Sequence, residues 1–260
     1  MSARPAALQA LAADPARAGL IVDFDGVLSP IVADPEASAM PADVAITLGR
    51  LARRLALMAV VSGRPLDFLR DRVPSGIRLL GSYGIEQLRD GQPQLAAAAR
   101  DWLPQVRDAG DQLREHFGGW PGVRVEEKAV SVAVHWRQAP DQDSAAAEVR
   151  RLTAAIAAAS GLRAEPGKLV EELRPPIDID KGSAIKVLLA EENPAVAAYA
   201  GDDLGDLPAL RAVRAAGGYA LVVDHGEETD TRLLELADQS FRGTAEFAAW
   251  LAELADAAGA

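Results

Sequence analysis

"LIVDFDGVLSP", residues 20–30, carries an apolar run straight into two aspartates one residue apart, followed by a glycine and a proline. Leu20, Ile21 and Val22 have the bulk and branching of a buried strand. One aspartate is an ordinary way to end such a strand. Asp23 and Asp25 together repel each other, and crowded carboxylates call for protons or a cation. Taken alone, D-x-D-G is equally compatible with a plain turn.

Four further runs resemble the first. "LALMAVVSG" (55–63), "IRLLGS" (77–82), "AVAAYAGDD" (195–203) and "GYALVV" (218–223) are continuous enough to suit strands covered on both faces. Between them, "ADVAITLGRLARR" (42–54), "GSAIKVLLAEE" (182–192) and "LGDLPALRAVRAA" (204–216) have helical spacing. Alternating strands and helices predict an α/β fold, a Rossmann-like core with a mostly parallel sheet. From about residue 88 to 174 the pattern changes to helix, two-residue alternation ("VRVEEKAVSVAVHWR"), helix and a last strand-like piece. Alternation of that kind suits an antiparallel sheet with one solvated face. The expected organisation is therefore a core of residues 1–88 and 175–260, with residues 89–174 inserted as an α+β cap domain.

Three of the core runs end in polar residues with chemical potential: Asp23 and Asp25, then Ser62-Gly63-Arg64, then Gly201-Asp202-Asp203 with Asp206 close behind. Ligands of open α/β sheets bind beyond the carboxyl ends of the strands, so neighbouring runs would bring these residues into one crevice. A hard divalent ion such as Mg²⁺ would then sit among the carboxylates and the oxygens of a phosphate. Lys181 opens a helix, where its ammonium and the helix amino end both favour an anion. Each feature has an ordinary alternative: S-G-R as a loop, G-D-D as a helix entry capped by aspartate, Lys181 as a solvated side chain. Their order along the chain, each after a strand or at a helix start, favours a phosphate site built on a metal.

Bulk properties narrow the class. The 260 residues, 49% hydrophobic, are enough to bury a large core. Cysteine is absent, which removes disulfides and thiolate metal sites and fits a reducing compartment. A net charge of −11 argues against general nucleic-acid binding. The three histidines, His116, His135 and His225, lack zinc-like spacing. Neither a G-x-x-x-x-G-K-[ST] loop nor a G-x-S-x-G elbow occurs. The Ala-rich start lacks the apolar stretch of a signal peptide, and no apolar run reaches the roughly 18 residues of a membrane helix. The expectation is a cytoplasmic monomer with no membrane, nucleic-acid or obligate protein partner.

At "DFDGV", "VVSGR", Lys181 and "GDDLGD" the chain resembles the haloacid dehalogenase superfamily of phosphotransferases. The order of "DFDGVLSPI", "SGRPLDFL", "GSYGIE", "VEEKAVSVAVHWR", "GKLVEELRP", "DKGSAI" and "GDDLGD" is similar to that of trehalose-6-phosphate phosphatases, over about residues 18–245. The resemblance implies a core of that superfamily's type, Mg²⁺ as cofactor and a phosphosugar, trehalose 6-phosphate, as substrate. It implies that Asp23 is the nucleophile and Asp25 the acid–base. Ser62, Gly63, Arg64 and Lys181 would bind phosphate. Asp23, the Asp25 backbone carbonyl and Asp202 would bind the metal, with Asp203 and Asp206 in support. Two positions depart from the pattern: Tyr83 stands where that family has histidine in G-x-H-G-x-E, leaving Tyr83 and Glu86 without a role, and Leu207 replaces an acidic residue.

Within the inserted segment, strand alternation puts Glu126 with Lys128, His135 with Arg137, and Lys168 with Glu172 on shared faces. On pattern alone these are cross-strand ion pairs on a solvated face. The resemblance implies instead that these six grip the sugar; by the same alternation Val130, Val132, Val134 and Trp136 pack the segment's own interior or its neighbour. A phosphatase for sucrose-phosphate or a glycosylglycerate phosphate, a phosphohexomutase, and a non-catalytic phosphosugar binder are the alternatives. Intact Asp23 and Asp25 weigh against the last.

Overall fold

A computed structural model describes residues 6–32, 34–89, 91–167 and 169–260. The chain divides into two compact units, residues 1–94 with 179–260 and residues 95–178. The seams differ from 88/89 and 174/175. Two short strands after residue 85 extend the core sheet before the chain leaves it.

The larger unit is built on strands β1 (Ala18–Val22), β2 (Leu57–Val61), β3 (Arg78–Gly81), β4 (Glu86–Arg89) and β5 (Gln92–Leu95). Strands β10 (Val196–Gly201), β11 (Tyr219–Asp224) and β12 (Gln239–Arg242) complete it. Among the described residues they form one sheet in the order β12-β11-β10-β1-β2-β3-β4-β5. Pairing is parallel from β12 to β3, and β4 adds antiparallel to β3. Strand β1 lies mid-sheet, and all five of its residues are buried. Leu20 and Val22 join one apolar cluster and Ile21 the other, as side-chain alternation requires.

The first cluster is shared with α1 (Ala7–Ala13), α2 (Ala42–Ala52), α3 (Leu66–Arg70) and α10 (Gly243–Ala257), the second with α7 (Lys181–Glu192), α8 (Leu207–Ala215) and α9 (Thr231–Leu236). Helix α2 buries Val44, Thr47, Leu48 and Leu51, the i, i+3, i+4, i+7 stripe of an amphipathic helix. Helix α7 starts on a capping box between Asp180 and Ser183 and stops at Asn193, whose φ of 46° is a left-handed cap. The stretch read as one helix from 204 begins as a 3-10 turn, Leu204–Asp206, and becomes helical only at Leu207.

The smaller unit has helices α4 (Ala97–Arg100), α5 (Leu103–Phe117) and α6 (Gln142–Ser160). Its strands β6 (Arg124–Glu127), β7 (Val132–His135), β8 (Arg163–Gly167) and β9 (Val170–Arg174) make an antiparallel sheet in the order β6-β7-β9-β8. Val132, Val134, Leu173 and Trp136 pack with Val106, Leu113, Val149 and Ile156 of α5 and α6. Val130 is buried as well. The opposite sheet face carries Glu126, His135 and Glu172.

Candidate active site

The parallel arrangement puts the carboxyl ends of β1, β2 and β10 side by side, and each leads into one of the polar motifs. A cavity of about 410 Å³ opens there. Asp23, Asp25, Ser62, Gly63, Arg64, Lys181, Asp202 and Asp203 all line it, along with Ile31 and Tyr83.

Lys181, the first residue of α7, is the electrostatic hub. Its ammonium lies 2.9 Å from Asp23 Oδ2 and 2.7 Å from Asp206 Oδ1, and all three side chains are buried. Burial alone would lower the lysine pKa, but the two carboxylates more than offset it and hold Lys181 cationic. One ammonium does not neutralise the group. Asp23, Asp202 and Asp206 each bring a carboxylate oxygen within 4.8 Å of the others. Burial raises Asp23 to about 7 against the pull of Lys181, with Asp206 adding repulsion. Burial and then Asp23 and Asp206 raise Asp202 to about 8.

These are properties of carboxylates short of positive charge, and they bear on whether a cation fits. Asp23 Oδ1 is buried and accepts no hydrogen bond, the mark of an anionic oxygen whose natural partner is a cation. Asp202 turns its carboxylate toward the same end of β1. A Cβ on Gly26, where φ is +72°, would fall 2.0 Å from Asp202 Oδ2. Only glycine lets the Asp25-Gly26 backbone pass that close. Hard oxygen donors on separate strands, undercompensated and partly orphaned, fit a divalent ion.

Asp206 is committed elsewhere. Oδ1 accepts from Lys181 and the buried Tyr199 hydroxyl, while Oδ2 accepts the amides of Asp202 at 2.9 Å and Asp203 at 3.2 Å. With both oxygens occupied, it braces the G-D-D turn. Asp203 caps that turn through the Gly205 amide.

Asp25 lies in a different environment. Arg64 donates to it twice, Nε to Oδ2 at 2.7 Å and Nη2 to Oδ1 at 3.0 Å, and Ser38 Oγ donates to Oδ1 at 2.6 Å. Although burial acts to raise its pKa, these donors hold the Asp25 carboxyl below the ordinary range. The Arg64 guanidinium, expected to bind phosphate, lines the cavity and is paired with Asp25, whose carboxylate its planar fork matches. Ser62 and Lys181 line the same cavity.

Several contributors escaped sequence reasoning. Ser38 and Ser29 are fully buried, their hydroxyls 2.8 Å apart, so the serine of L-S-P steadies the residue that holds Asp25. His225 Nε2 donates to the Gly26 carbonyl at 2.8 Å and lies 3.6 Å from Asp202 Oδ2. "GSYGIE" acquires a role. Ser82 and Tyr83 both adopt positive φ, 49° and 62°, a strain of about 1–3 kcal/mol each for non-glycine residues. That turn donates the Tyr83 amide to the Ser62 carbonyl and the Ser82 amide to the Arg64 carbonyl. Glu86 secures it, accepting from the Ser82 hydroxyl and the Leu66 amide. The outlying signal was an acidic residue directly after the turn, at the first position of β4.

On the smaller unit, His135 Nε2 is 2.7 Å from Glu126 Oε2. Lys128 Nζ donates to Glu172 at 3.0 Å, and Ser131 donates to its other oxygen. The Glu172 carboxyl is held below 4.5: burial opposes this, and Ser131 with Lys128 outweighs it. Arg137 is exposed. Lys168 lies outside the described residues.

A family model described as trehalose-phosphatase matches residues 21–238. The chain belongs to the trehalose-phosphatase family. It is 37% identical over 264 residues to the trehalose-phosphate phosphatase of Mycobacterium marinum, covering 97% of this chain and 67% of that protein. A crystal structure of a trehalose-6-phosphate phosphatase related protein superposes with a TM-score of 0.70 at 26% identity, over 92% of this chain and 97% of that one. A haloacid dehalogenase-like hydrolase from Bacteroides thetaiotaomicron shares the fold, with a TM-score of 0.60 at 13% identity over 90% and 98% of the two chains. Membership of the trehalose-phosphatase family makes this chain a phosphatase, a hydrolase of phosphate monoesters on the haloacid dehalogenase fold. Among the described residues, no helix is long and apolar enough to cross a membrane.

Proposed function

We propose that this chain hydrolyses trehalose 6-phosphate to trehalose and inorganic phosphate, with Mg²⁺ as cofactor, in the cytoplasm and as a monomer. The supporting observation is the meeting of Asp23, Ser62, Lys181 and Asp202 around one cavity at the strand ends, in a chain of the trehalose-phosphatase family. Asp23, Asp202 and the Asp25 carbonyl would hold the ion. Bound there, Mg²⁺ supplies positive charge that offsets the carboxylate repulsion and the charge of the phosphoryl oxygens.

The chain's own groups divide the remaining work. The Asp23 carboxylate attacks phosphorus: an Asp23 O–P bond forms as the bond from phosphorus to the sugar oxygen breaks. Asp25, in its protonated form, passes a proton to that departing oxygen; the Arg64 and Ser38 donors favour its carboxylate, so this form is the minor one in the free site. Asp25 then takes a proton from water as the water oxygen attacks phosphorus, releasing phosphate and restoring Asp23. Lys181, kept cationic, and the Ser62 hydroxyl orient the phosphoryl oxygens, since placement and charge supply most of the rate in this chemistry.

Sugar selection falls to the polar face of the smaller unit. Glu126, Lys128, His135 and Glu172 present paired acid and base groups of the kind that bind vicinal hydroxyls, and Arg137 and Lys168 belong to the same proposal. Phosphate release from a panel of phosphosugars, with and without EDTA, tests the reading. Release should be fastest on trehalose 6-phosphate and lost in EDTA. Equal rates on glucose 6-phosphate would refute the selectivity, and turnover that survives EDTA would refute the metal. Glu126→Ala should weaken use of the disaccharide phosphate and spare a small aryl phosphate.

A further inference from the structure

Arg64 belongs to a motif whose serine is proposed to hold phosphate, yet its guanidinium is already engaged. The Nε and Nη2 atoms meet the two oxygens of Asp25 side by side. A fork–fork pair fixes a carboxylate in plane and in rotation, which a single contact or a point charge does not. The plane of the fork is itself fixed. The Phe68 ring lies 4.4 Å from the Arg64 guanidinium and is contacted by Arg72 at 3.7 Å. Arg72 in turn donates to the carbonyl of Ser38, the residue whose hydroxyl completes the grip on Asp25. The backbone is held as well, by the strained turn at Ser82 and by Glu86. The side-chain contacts converge on Asp25, while the same turn also holds Ser62 through the Tyr83 amide.

We propose that Arg64 is a positioning residue for Asp25: its fork, with Ser38 as a second arm, sets where the acid–base carboxyl stands beside the cavity, and it is not a ligand of the phosphate. The inference rests on Asp25 having the role given above. It separates two duties within S-G-R. Ser62 serves the phosphoryl group, and Arg64 serves the proton carrier.

Steady-state phosphate release from trehalose 6-phosphate, with orthophosphate as product inhibitor, tests this on Arg64→Met, Arg64→Lys, Asp25→Asn and the Arg64→Met/Asp25→Asn pair. Circular dichroism and Tm establish that each variant is folded. The expected result is a kcat about tenfold or more lower in Arg64→Met, within the range that acid–base placement commands. KM and the orthophosphate inhibition constant should stay within about twofold. Arg64→Lys should be as deficient as Arg64→Met, because an ammonium cannot reproduce the fork. In the Asp25→Asn background, Arg64→Met should change the residual rate by less than about twofold. A rise in KM and in the orthophosphate constant that Arg64→Lys reverses would place Arg64 on the phosphate and overturn the proposal. Unaltered kinetics in Arg64→Met would overturn it too. Full activity in Asp25→Asn alone would strike the underlying mechanism, and the inference with it. An inactive Asp25→Asn beside either of the first two outcomes would strike the inference only.

Discussion

Asp206 has no exposed surface, yet it touches four donors that belong to three parts of the core: Lys181, Tyr199 and the amides of Asp202 and Asp203. Removing one partner of a buried charge pair leaves the other uncompensated, at a cost of about 3–5 kcal/mol. Asp206→Ala should lose stability on that scale in urea unfolding, whereas a change of a few tenths would mean that Lys181 needs only Asp23. The aspartates, serine and lysine of the cavity were visible in the sequence, because each ends an apolar run or opens a helix. Ser38, Tyr199 and His225 were not. Ser38 lies in a loop with no periodic pattern, Tyr199 reads as one more apolar strand residue, and His225 reaches Gly26 from the loop after β11, distant in sequence.

At the scale of elements, continuity of apolar residues was the legible signal. Strands β1, β2, β3, β10 and β11 fall where the runs "GLIVD", "LALMAVVSG", "IRLLGS", "AVAAYAGDD" and "GYALVV" lie. Strands β4, β5 and β12 carry "EQLR", "QPQL" and "QSFR", edge sequences too polar and short to stand out from loops. On the sheet of the smaller unit, Glu172 offers a pH test. Its carboxyl is depressed from 4.5 in the folded state, so the stability it contributes is present above that value and lost as pH falls through the folded one. Glu172→Gln should therefore be less stable than the parent at neutral pH and lose less as pH falls into the acid range below 4.5. Parallel acid curves for the two proteins would remove Glu172 from the account.

For the molecule as a whole, the alternation pattern revealed a second unit, while its first seam depended on the short strands β4 and β5, which the pattern could not register. Ion binding is a whole-molecule observable, because anything bound only by the fold raises its stability. At about one hundred times its dissociation constant, Mg²⁺ should add about 2.7 kcal/mol, roughly 5–10 °C in Tm for a chain of this size. Asp202→Asn should abolish that gain. The sign of the pH effect follows from carboxyls raised above their ordinary values. The metal-free fold holds protons near Asp23 and Asp202, so it loses stability as pH climbs from their ordinary value of 3.8 and levels off above about 7 and about 8. Mg²⁺ must displace those protons, so its stabilisation should be smaller at about pH 6 than at about pH 8.5.

The covalent role proposed for Asp23 admits a direct measurement. Enzyme mixed with trehalose 6-phosphate, quenched in acid within the turnover time and digested, can be read by mass spectrometry for an acyl phosphate. The peptide containing Asp23 should carry one phosphoryl group, and Asp23→Asn should carry none while losing at least about a thousandfold in rate. A phosphoryl group on another residue, or rapid turnover by folded Asp23→Asn, would contradict the account.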